Sequence, residues 1–253
     1  KQLNQNFNLM IERLKEQQDK LLINERYEAW ESVARKLAHE IKNPLTPIQL
    51  SIDNLREKYK DQLPQESKEF EKYLETINRQ IKDIENLVNE FSNFARMPRP
   101  IFKKINILDV INRSVNFSKM SSKNKINVNT SKKKTMINGD SEQLNRVFIN
   151  LIKNSEEAFL DVVKKHPDFK GKIDIEIISN NDYIVVRLTD NGTGISDTKK
   201  VMTPYFTTKI KGTGLGLPIV SKIINEHSGE FKIKNKKDGK GVSIDILFPI
   251  VDA

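Results

Sequence analysis

The chain has 253 residues and no cysteine, which excludes disulfide bonds, thiolate catalysis and cysteine-ligated zinc. No apolar run is long enough to cross a membrane, and no signal-peptide pattern occurs. Histidine is scarce as well, because His39, His166 and His227 are the only three and lie too far apart to suggest a metal cluster. The lack of cysteine also suits a reducing compartment.

The formal net charge is +9, which permits binding to nucleic acid or to an anionic membrane. The basic residues are dispersed, however, and the densest runs, 132–134 and 232–240, lie in predicted loops or strand edges. No basic stripe interleaved with aromatics, helix-turn-helix pattern or zinc-finger spacing accompanies them. We interpret the excess charge as a solvated lysine-rich surface and expect no nucleic-acid partner.

Apolar residues recur at alternating steps of four and three in the first part of the chain. Residues 1–24 form one coiled-coil seam, 30–59 a second and 70–95 a third, and "KDQLPQES" (60–67) separates the last two. Two long helices with one apolar stripe each, joined by a short turn, predict an antiparallel hairpin. Because a hairpin cannot bury both stripes alone, we expect a homodimer in which two copies form a four-helix bundle.

The pattern changes after "ARMPRP" (95–100), where two prolines end the helical region. Beyond it, short apolar or alternating runs predict strands and two amphipathic stretches predict helices. We place strands at 125–131, 135–139, 172–178, 183–190, 230–235 and 241–248, and helices at 140–165, capped by Asp140 or Ser141, and at 217–229, stopped by Gly229. The second half is therefore predicted to be an α+β domain with a mixed sheet and helices on one face. The predicted domains are 1–24, 25–97 and 98–253.

One histidine lies in an unusual helical stretch, "LAHEIKNPLTPIQL" (37–50). At about 100° per residue, His39 lies roughly 160–200° from the seam residues Leu37 and Ile41, so it faces away from the bundle core. It is a poor candidate for a packed core histidine. The alternative is an ordinary exposed surface histidine.

Two prolines follow this histidine within one helix. Pro44 and Pro47 each remove a backbone N–H, at about 3 kcal/mol apiece in a plain surface helix. Because the apolar stripe continues beyond them, we expect the helix to bend rather than stop, at a place that moves or docks. The alternative is a helix that ends near Asn43.

Three motifs in the second half carry candidate binding residues. "NRVFINLIKNSEEA" puts Asn150 and Asn154 on one helix face, and "DNGTGI" puts Asp190 just ahead of two glycines. "GTGLGLPIV" opens a helix, where glycines let backbone N–H groups approach an anion at the positive helix end. Its first five residues are Gly212, Thr213, Gly214, Leu215 and Gly216. Taken singly, these motifs also fit a solvated asparagine pair, a turn and a plain glycine-rich loop, and no P-loop ending is present.

"HEIKNPLTPIQLS" (39–51) resembles the phospho-acceptor box of sensor histidine kinases, in their dimerisation and histidine-phosphotransfer hairpin. The resemblance implies that His39 accepts the γ-phosphoryl group of ATP and that Glu40 orients and deprotonates the imidazole. It also implies that Asn43 helps to position water when the phosphorylated partner is hydrolysed. Neutral imidazole is a nucleophile, and a carboxylate that accepts its other N–H fixes the tautomer.

The three motifs of the second half, in their order, resemble the ATP-binding boxes of the superfamily that includes gyrase, the Hsp90 chaperone and histidine kinases. The resemblance implies ATP and Mg²⁺ as cofactors, with Asn154 as the metal ligand and Asn150 near the metal and phosphates. Asp190 matches the carboxylate that accepts from the adenine amino group. Superfamily hydrolases have a glutamate base where Asn150 stands here, which favours transfer to a protein side chain over ATP hydrolysis.

The same resemblance assigns the segments around the base and the phosphates. Gly192 and Gly194 let the chain pass tightly under the base. "TPYFTTK" lies in the lid between Ile195 and Lys211, where Phe206 anchors the lid and Lys209 reaches the phosphates. The glycine-rich motif from Gly212 to Gly216 completes the phosphate side. Neutralisation of the transferring group by metal and cationic donors is the general requirement of phosphoryl transfer.

Over residues 25–250 the chain most resembles NtrY-type nitrogen-sensing kinases, and residues 1–24 resemble the last helix of a HAMP signal-relay module. The resemblance implies autophosphorylation, transfer to an aspartate of an NtrX-like response regulator, and phosphatase activity toward it. Because the chain begins at Lys1, we expect the cytoplasmic portion of a bacterial inner-membrane sensor whose membrane segment precedes it.

Two other functions stay open on the sequence alone. An ATPase machine of the same superfamily would move by nucleotide-driven lid closure, and its turnover would not depend on His39. A non-enzymatic basic scaffold would bind DNA or membrane with steep salt dependence and without nucleotide.

Overall fold

The structure is a computed structural model. It describes residues 7, 10, 11, 36–38, 40–59, 67–95, 97–121, 124–130, 135–180, 182–198, 200–203, 206, 207, 209, 212–236 and 239–250. The chain divides into two compact units, residues 1–98 and residues 99–253, which are described separately.

Two helices account for most of the first unit that the structure describes. Helix α1 covers residues 40–59 and helix α2 covers Ser67–Ala95, while residues 36–38 are also helical. The two helices form the predicted hairpin. Arg56 on α1 donates to Glu71 on α2 at 2.8 Å, and the rings of Tyr59 and Phe70 meet edge to face at 6.2 Å. The predicted seam of residues 1–24 and the linker 60–66 fall almost entirely outside the described residues.

The apolar stripe of each helix separates into an inner set and an exposed set. One set lies inside the hairpin, where Ile52, Leu74 and Ile81 are buried and Leu45 and Phe70 pack against them. The other set is exposed to solvent in the single chain. It comprises Ile41, Ile48 and Leu55 on α1 and Ile77 and Ile84 on α2. In the described part of the hairpin this second set therefore leaves apolar surface exposed, as the four-helix-bundle prediction requires.

Helix α1 continues through both prolines. Residues 40–59 are all helical, so the alternative that the helix ends near Asn43 is wrong. Ser51 Oγ donates to the carbonyl oxygen of Pro47 at 2.8 Å, and Leu45 and Ile52 hold the helix against α2 on either side of Pro47. His39 lies outside the described residues, so the direction of its ring stays a prediction.

The described residues of the second unit form a two-stranded and a five-stranded sheet with three α-helices. Strands β1 (Lys103–Asn106) and β3 (Met136–Gly139) pair antiparallel. The larger sheet has the order β2-β4-β5-β7-β6, in which only β2 and β4 pair in parallel. Its strands are β2 Lys125–Thr130, β4 Lys172–Ser179, β5 Tyr183–Asp190, β6 Glu230–Asn235 and β7 Val242–Pro249. The helices are α3 Ile107–Ser121, α4 Ser141–Lys165 and α5 Gly216–Glu226, with a short 3₁₀ turn at Lys200–Met202. The predicted α+β class is confirmed.

Strand β1, helix α3 and the short 3₁₀ turn of this unit were not predicted. Strand β1 and helix α3 follow each other without a glycine or proline between them. Asn106 marks the junction, because its Oδ1 accepts from the backbone N–H of Leu108 at 3.0 Å. The signal for α3 was available, since Ile107, Val110 and Ile111 have helical spacing and are buried.

The structure defines the residues that begin α4 and end α5. Asp140 is the cap of α4, and its Oδ1 accepts from the N–H groups of Glu142 and Gln143. Helix α5 ends at Glu226, and the left-handed residue after it is Ser228 with φ 55°, not the predicted Gly229. Gly229 is required for another reason, because a Cβ there would lie 2.8 Å from the carbonyl oxygen of Leu247.

The two faces of the five-stranded sheet have different chemistry. On the buried face, register aligns Ile175 with Leu188 and Leu188 with Ile244 across β4, β5 and β7. On the other face, Arg187 pairs with Asp245 directly opposite, at 2.6 Å. The same register places Asp190, the last residue of β5, on the buried face. The carboxylate predicted to be functional thus lies at the end of the core.

A buried histidine joins the start of α4 to the end of α5. His227 is 3% exposed, and its Nε2 accepts from the N–H of Asp140 at 2.9 Å. Its Nδ1 lies 2.7 Å from the carbonyl oxygen of Ile223, so the neutral ring carries its proton on Nδ1. Burial lowers the pKa of His227 below 6.5, and the Ile223 carbonyl and the Asp140 charge oppose this only in part.

We therefore expect acid to weaken the second unit through His227. Because the folded pKa lies below the unfolded value, the unfolded chain binds the proton first, and stability is complete above about pH 6.5 and falls below it. The thermal midpoint of the wild-type chain should drop more between pH 7.5 and pH 5.5 than that of His227→Gln. The exposed His166→Gln serves as control and should follow the wild type. Equal pH slopes for wild type and His227→Gln would contradict the assignment.

Candidate functional site

The carboxylate of Asp190 is fixed by donors from three separate parts of the second unit. Asp190 is 5% exposed, and its Oδ1 accepts from the N–H groups of Gly192 at 2.9 Å and Val242 at 3.2 Å. Its Oδ2 accepts from Ser155 Oγ at 3.2 Å. Because a carboxylate offers about four acceptor positions, Oδ2 retains capacity for one donor from a ligand. The arrangement suits recognition of an amino group.

Ser155 is a site residue that was not predicted from the sequence. It lies on the buried face of α4, between Leu151 and Phe159, and its single hydroxyl hydrogen is shared between Asp190 Oδ2 and the Leu151 carbonyl oxygen, each 3.2 Å from Oγ. A polar side chain on an otherwise apolar helix face was the signal that could have identified it. Its position directly after Asn154 brings the helix motif and the Asp190 motif together.

The backbone after Asp190 passes close to α4. A Cβ at Gly192 would lie 2.8 Å from the Ala158 Cβ, so only glycine fits there. Gly194 has a φ of +77°, which favours glycine. Asn235 holds the next residue, because its side chain accepts from the N–H of Ile195 at 2.8 Å and donates to the Ile195 carbonyl oxygen at 2.7 Å. Asn235 was not identified from the sequence.

Gly241 is another site residue that was not identified from the sequence. Its φ is +96°, and a Cβ there would meet the carbonyl oxygen of Asp190 at 2.1 Å. Gly239 also has a positive φ, +69°, but a Cβ there would contact nothing within 4 Å. Alanine at Gly239 would therefore introduce backbone strain alone, whereas alanine at Gly241 would introduce both strain and a steric clash.

We expect Gly241→Ala to lower the free energy of unfolding by about 3 kcal/mol or more, because strain and clash act together. Gly239→Ala should cost only about 1 kcal/mol, from strain alone. Denaturant unfolding of both variants checks this. Equal losses would show that the close approach to Asp190 does not matter.

The phosphate side of the predicted site is formed by Asn150, Asn154 and the start of α5. A Cβ at Gly216 would lie 3.7 Å from Asn154 Nδ2, which places Asn154 beside the first turn of α5. That helix begins after Leu215, and no side-chain oxygen of the described residues caps it. Asn150 Nδ2 is buried and finds no acceptor among the described residues. Backbone and side-chain donors thus remain available for an anion.

Lys209 reaches this side of the site. Its Nζ donates to Asn154 Oδ1 at 3.4 Å and to Glu157 Oε2 at 2.5 Å. Its backbone is held by Thr207, whose Oγ1 accepts from the Lys209 N–H at 3.1 Å, and by Gly212, whose N–H donates to the Lys209 carbonyl oxygen at 3.2 Å. Glu157 was not identified from the sequence.

The remaining predicted residues lie in the segment before α5 and, in the first unit, on α1. Phe206 is partly buried, its N–H donates to the Thr203 carbonyl oxygen at 3.2 Å, and no described contact tests its predicted anchoring role. Gly214 has a φ of +68°, and Thr213 Oγ1 accepts from the N–H of Leu215 at 3.5 Å. In the first unit, Glu40 and Asn43 are exposed on α1.

The residues present fit ATP and Mg²⁺. Asn154 Oδ1 is an amide oxygen of the kind that Mg²⁺ accepts, and it already faces a cation, Lys209. The buried, unpaired Nδ2 of Asn150 and the uncapped start of α5 are donors suited to phosphate oxygens. Asp190 retains acceptor capacity for an amino group, next to the backbone at Gly192 and Gly194.

Two protein families match the chain in sequence. Residues 29–100 match the His Kinase A (phospho-acceptor) domain. Residues 139–252 match the histidine kinase-, DNA gyrase B- and HSP90-like ATPase family. With the hairpin and the α+β fold, these matches show that the chain combines a phospho-acceptor domain of the His Kinase A family with an ATPase domain of the histidine kinase, DNA gyrase B and HSP90 type.

Among curated relatives, the chain is similar to NtrY-like kinases. It is 40% identical to an NtrY-like sensor histidine kinase of Rickettsia prowazekii over 249 residues, which cover 96% of the chain and 40% of that relative. It is 36% identical to the nitrogen regulation protein NtrY of Azorhizobium caulinodans, covering 88% of the chain and 29% of that protein. The chain thus spans about two fifths or less of the length of these relatives.

Solved structures share the fold. Full-length ShkA in complex with AMPPNP aligns with a TM-score of 0.61 at 18% identity, covering 88% of the chain and 46% of that one. Histidine kinase ThkA in complex with the response regulator TrrA aligns with a TM-score of 0.57 at 24% identity, covering 86% and 61%. None of the described helices is both long and apolar enough to cross a bilayer.

Proposed function

We propose that the chain catalyses ATP-dependent phosphorylation of its own His39 and then passes the phosphoryl group to an aspartate of a response regulator. In the first step a ring nitrogen of His39 bonds to the γ-phosphorus, the bond to the β–γ bridging oxygen breaks, and ADP leaves. The observation that carries the proposal is the buried Asp190 carboxylate, whose Oδ2 accepts only from Ser155 among the described residues, directly after Asn154 on α4. A phospho-acceptor hairpin on the same chain supplies the nucleophile.

The residues of the second unit divide the work of binding. Asp190 accepts from the adenine amino group, which selects adenine over guanine because guanine presents a carbonyl oxygen there. The N–H groups at the start of α5, Asn150 Nδ2 and Lys209 hold the phosphates. Asn154 holds Mg²⁺, which neutralises phosphate charge when bound. Asn150 carries no carboxylate to activate water, which favours transfer to a protein side chain.

We further propose that the acceptor hairpin works as a homodimer. The exposed heptad set on α1 and α2 supports this, because its isoleucines and leucine lie on one stripe and a second copy would cover them. Glu40, on α1, orients the imidazole of His39.

The partner is proposed to be a receiver domain of a response regulator, NtrX-like by analogy with the NtrY relatives. The ThkA structure, which contains a response regulator, supports the class of partner. Because ATP and receiver domains are cytoplasmic, we propose a cytoplasmic site of action, on a sensor tethered to the bacterial inner membrane.

Incubation with γ-labelled ATP and Mg²⁺ tests the proposed function. The chain should acquire label that survives base and is lost in acid, and added receiver domain should remove it. His39→Gln should acquire none. Steady ATP turnover that is unaffected by His39→Gln would instead indicate an ATPase, and equal labelling of His39→Gln would refute the acceptor.

Asn43 is proposed to position water during hydrolysis of the phosphorylated partner. Its replacement by alanine should leave labelling of the chain unchanged and slow release of phosphate from the phosphorylated receiver domain at least tenfold. Asn43 is exposed on α1, so the fold should tolerate the change. Equal loss of both activities would contradict this division of labour.

A further inference from the structure

A carboxylate that the proposed function does not use lies next to the proposed metal ligand. Glu157 follows Asn154 by three residues on α4, so both side chains lie on one helix face. Lys209 Nζ contacts both, at 2.5 Å from Glu157 Oε2 and 3.4 Å from Asn154 Oδ1. The side chains of Lys209 and Glu157 are each 35% exposed, so solvent screens the ion pair only in part.

A negative charge at this position opposes the binding of a triphosphate unless a cation neutralises it. In the structure Lys209 is that cation, and while it contacts Glu157 it is withheld from phosphates. The ammonium group also lies against Asn154 Oδ1, the oxygen proposed to hold Mg²⁺. A lysine ammonium and a divalent cation cannot both approach one amide oxygen without strong repulsion.

We propose that Glu157 is a positioning residue that makes ATP binding depend on Mg²⁺, an inference that rests on the proposed function. Without metal, Lys209 stays paired with Glu157 and is not available to the phosphates of ATP. When Asn154 holds the metal, Lys209 leaves Asn154 and Glu157 and becomes available to the phosphates, while Glu157 faces the double positive charge of the metal. Glu157 therefore weakens binding of free ATP and tolerates the Mg²⁺ complex.

The chain offers a matched control on the same helix. Asp161 lies four residues beyond Glu157, carries the same charge and pairs with Lys164 at 2.9 Å, but both partners are exposed. The Asp161 charge also acts on Lys209, but in the described part of the chain its side chain bonds to Lys164 and makes no hydrogen bond to Lys209 or Asn154. Any general effect of net charge on ATP binding should appear equally in Asp161→Asn.

Isothermal titration of the full chain with ATP, once with EDTA and once with Mg²⁺, tests the proposal. Glu157→Gln should bind metal-free ATP about tenfold more tightly and Mg²⁺–ATP within threefold of wild type, so the preference for the metal complex falls. Asp161→Asn should keep the wild-type preference. An unchanged preference in Glu157→Gln, or the same fall in Asp161→Asn, would overturn the role of Glu157.

A second readout follows Lys209 directly. Acylation of lysines in the nucleotide-free chain, followed by mass spectrometry, should label Lys209 several-fold faster in Glu157→Gln than in wild type or Asp161→Asn. Equal rates would also overturn the proposal. If the wild-type chain binds neither form of ATP, the proposed function itself fails. Binding of Mg²⁺–ATP with an unaltered preference in Glu157→Gln removes only the inference about Glu157.

Discussion

Asp190→Asn should weaken binding of ATP by about a hundredfold. The Oδ1 of Asp190 is committed to the N–H groups of Gly192 and Val242, so an asparagine must keep its oxygen there. Its amide nitrogen then replaces Oδ2 and points donor hydrogens at the adenine amino group. A lost hydrogen bond and opposed donors in a buried position cost about 2–3 kcal/mol, which corresponds to roughly 30- to 150-fold in affinity.

Isothermal titration with Mg²⁺–ATP measures this effect. Asp182→Asn, on an exposed turn before β5, is the control and should bind as the wild type does. Ser155→Ala should lose about fivefold, because Ser155 donates to Asp190 without contacting the base itself. An affinity of Asp190→Asn within threefold of wild type, in a variant that unfolds at the wild-type temperature, would contradict the adenine assignment.

Ile77→Asp should convert the proposed dimer to monomer. Ile77 is 44% exposed in the single chain and belongs to the exposed heptad set, so a dimer would bury it in the bundle core. Two unpaired carboxylates, one from each copy, would then lose their hydration, at several kcal/mol in total. The dissociation constant should rise by more than a thousandfold.

Sedimentation velocity at micromolar concentration distinguishes the two states. Thr76→Asp adds the same charge one residue earlier, at an exposed position outside the stripe, and should stay dimeric. The hairpin should survive in Ile77→Asp, because Leu74 and Ile81 form its inner contacts. Persistence of the dimer in Ile77→Asp, or dissociation of both variants, would refute the assignment of this stripe to the interface.

Local patterns made the helical hairpin and the outline of the α+β unit predictable. Apolar spacing identified the stripes on α1 and α2, and the cap of α4 was narrowed to Asp140 or Ser141, because both features depend on residues close in sequence. Helix α3 was missed although its apolar spacing was present, since no glycine or proline separates it from β1. The stop of α5 was assigned to Gly229, whereas the left-handed residue is Ser228.

The motif residues of the candidate site were predictable from the sequence, but the residues that hold them in place were not. Asp190, Asn154 and the glycines stand out because each motif is local and its residue types have chemical meaning. Ser155, Asn235 and Gly241 act on residues far away in sequence, as Val242 does when it donates to Asp190 across 52 positions. Such contacts depend on strand register, which a single sequence does not fix residue by residue. The ion pair of Glu157 with Lys209 belongs to the same class.

The most direct test of the central claim is to locate the phosphoryl group. The full chain is incubated with Mg²⁺–ATP, digested at alkaline pH and mapped by mass spectrometry with a fragmentation method that preserves phosphohistidine. At an ATP concentration near the Kd of the wild type, we predict phosphorylation on His39 in the wild type and phosphorylation of His39 reduced at least tenfold in Asp190→Asn. Phosphorylation on any other residue, or undiminished phosphorylation of His39 in Asp190→Asn, would contradict the account.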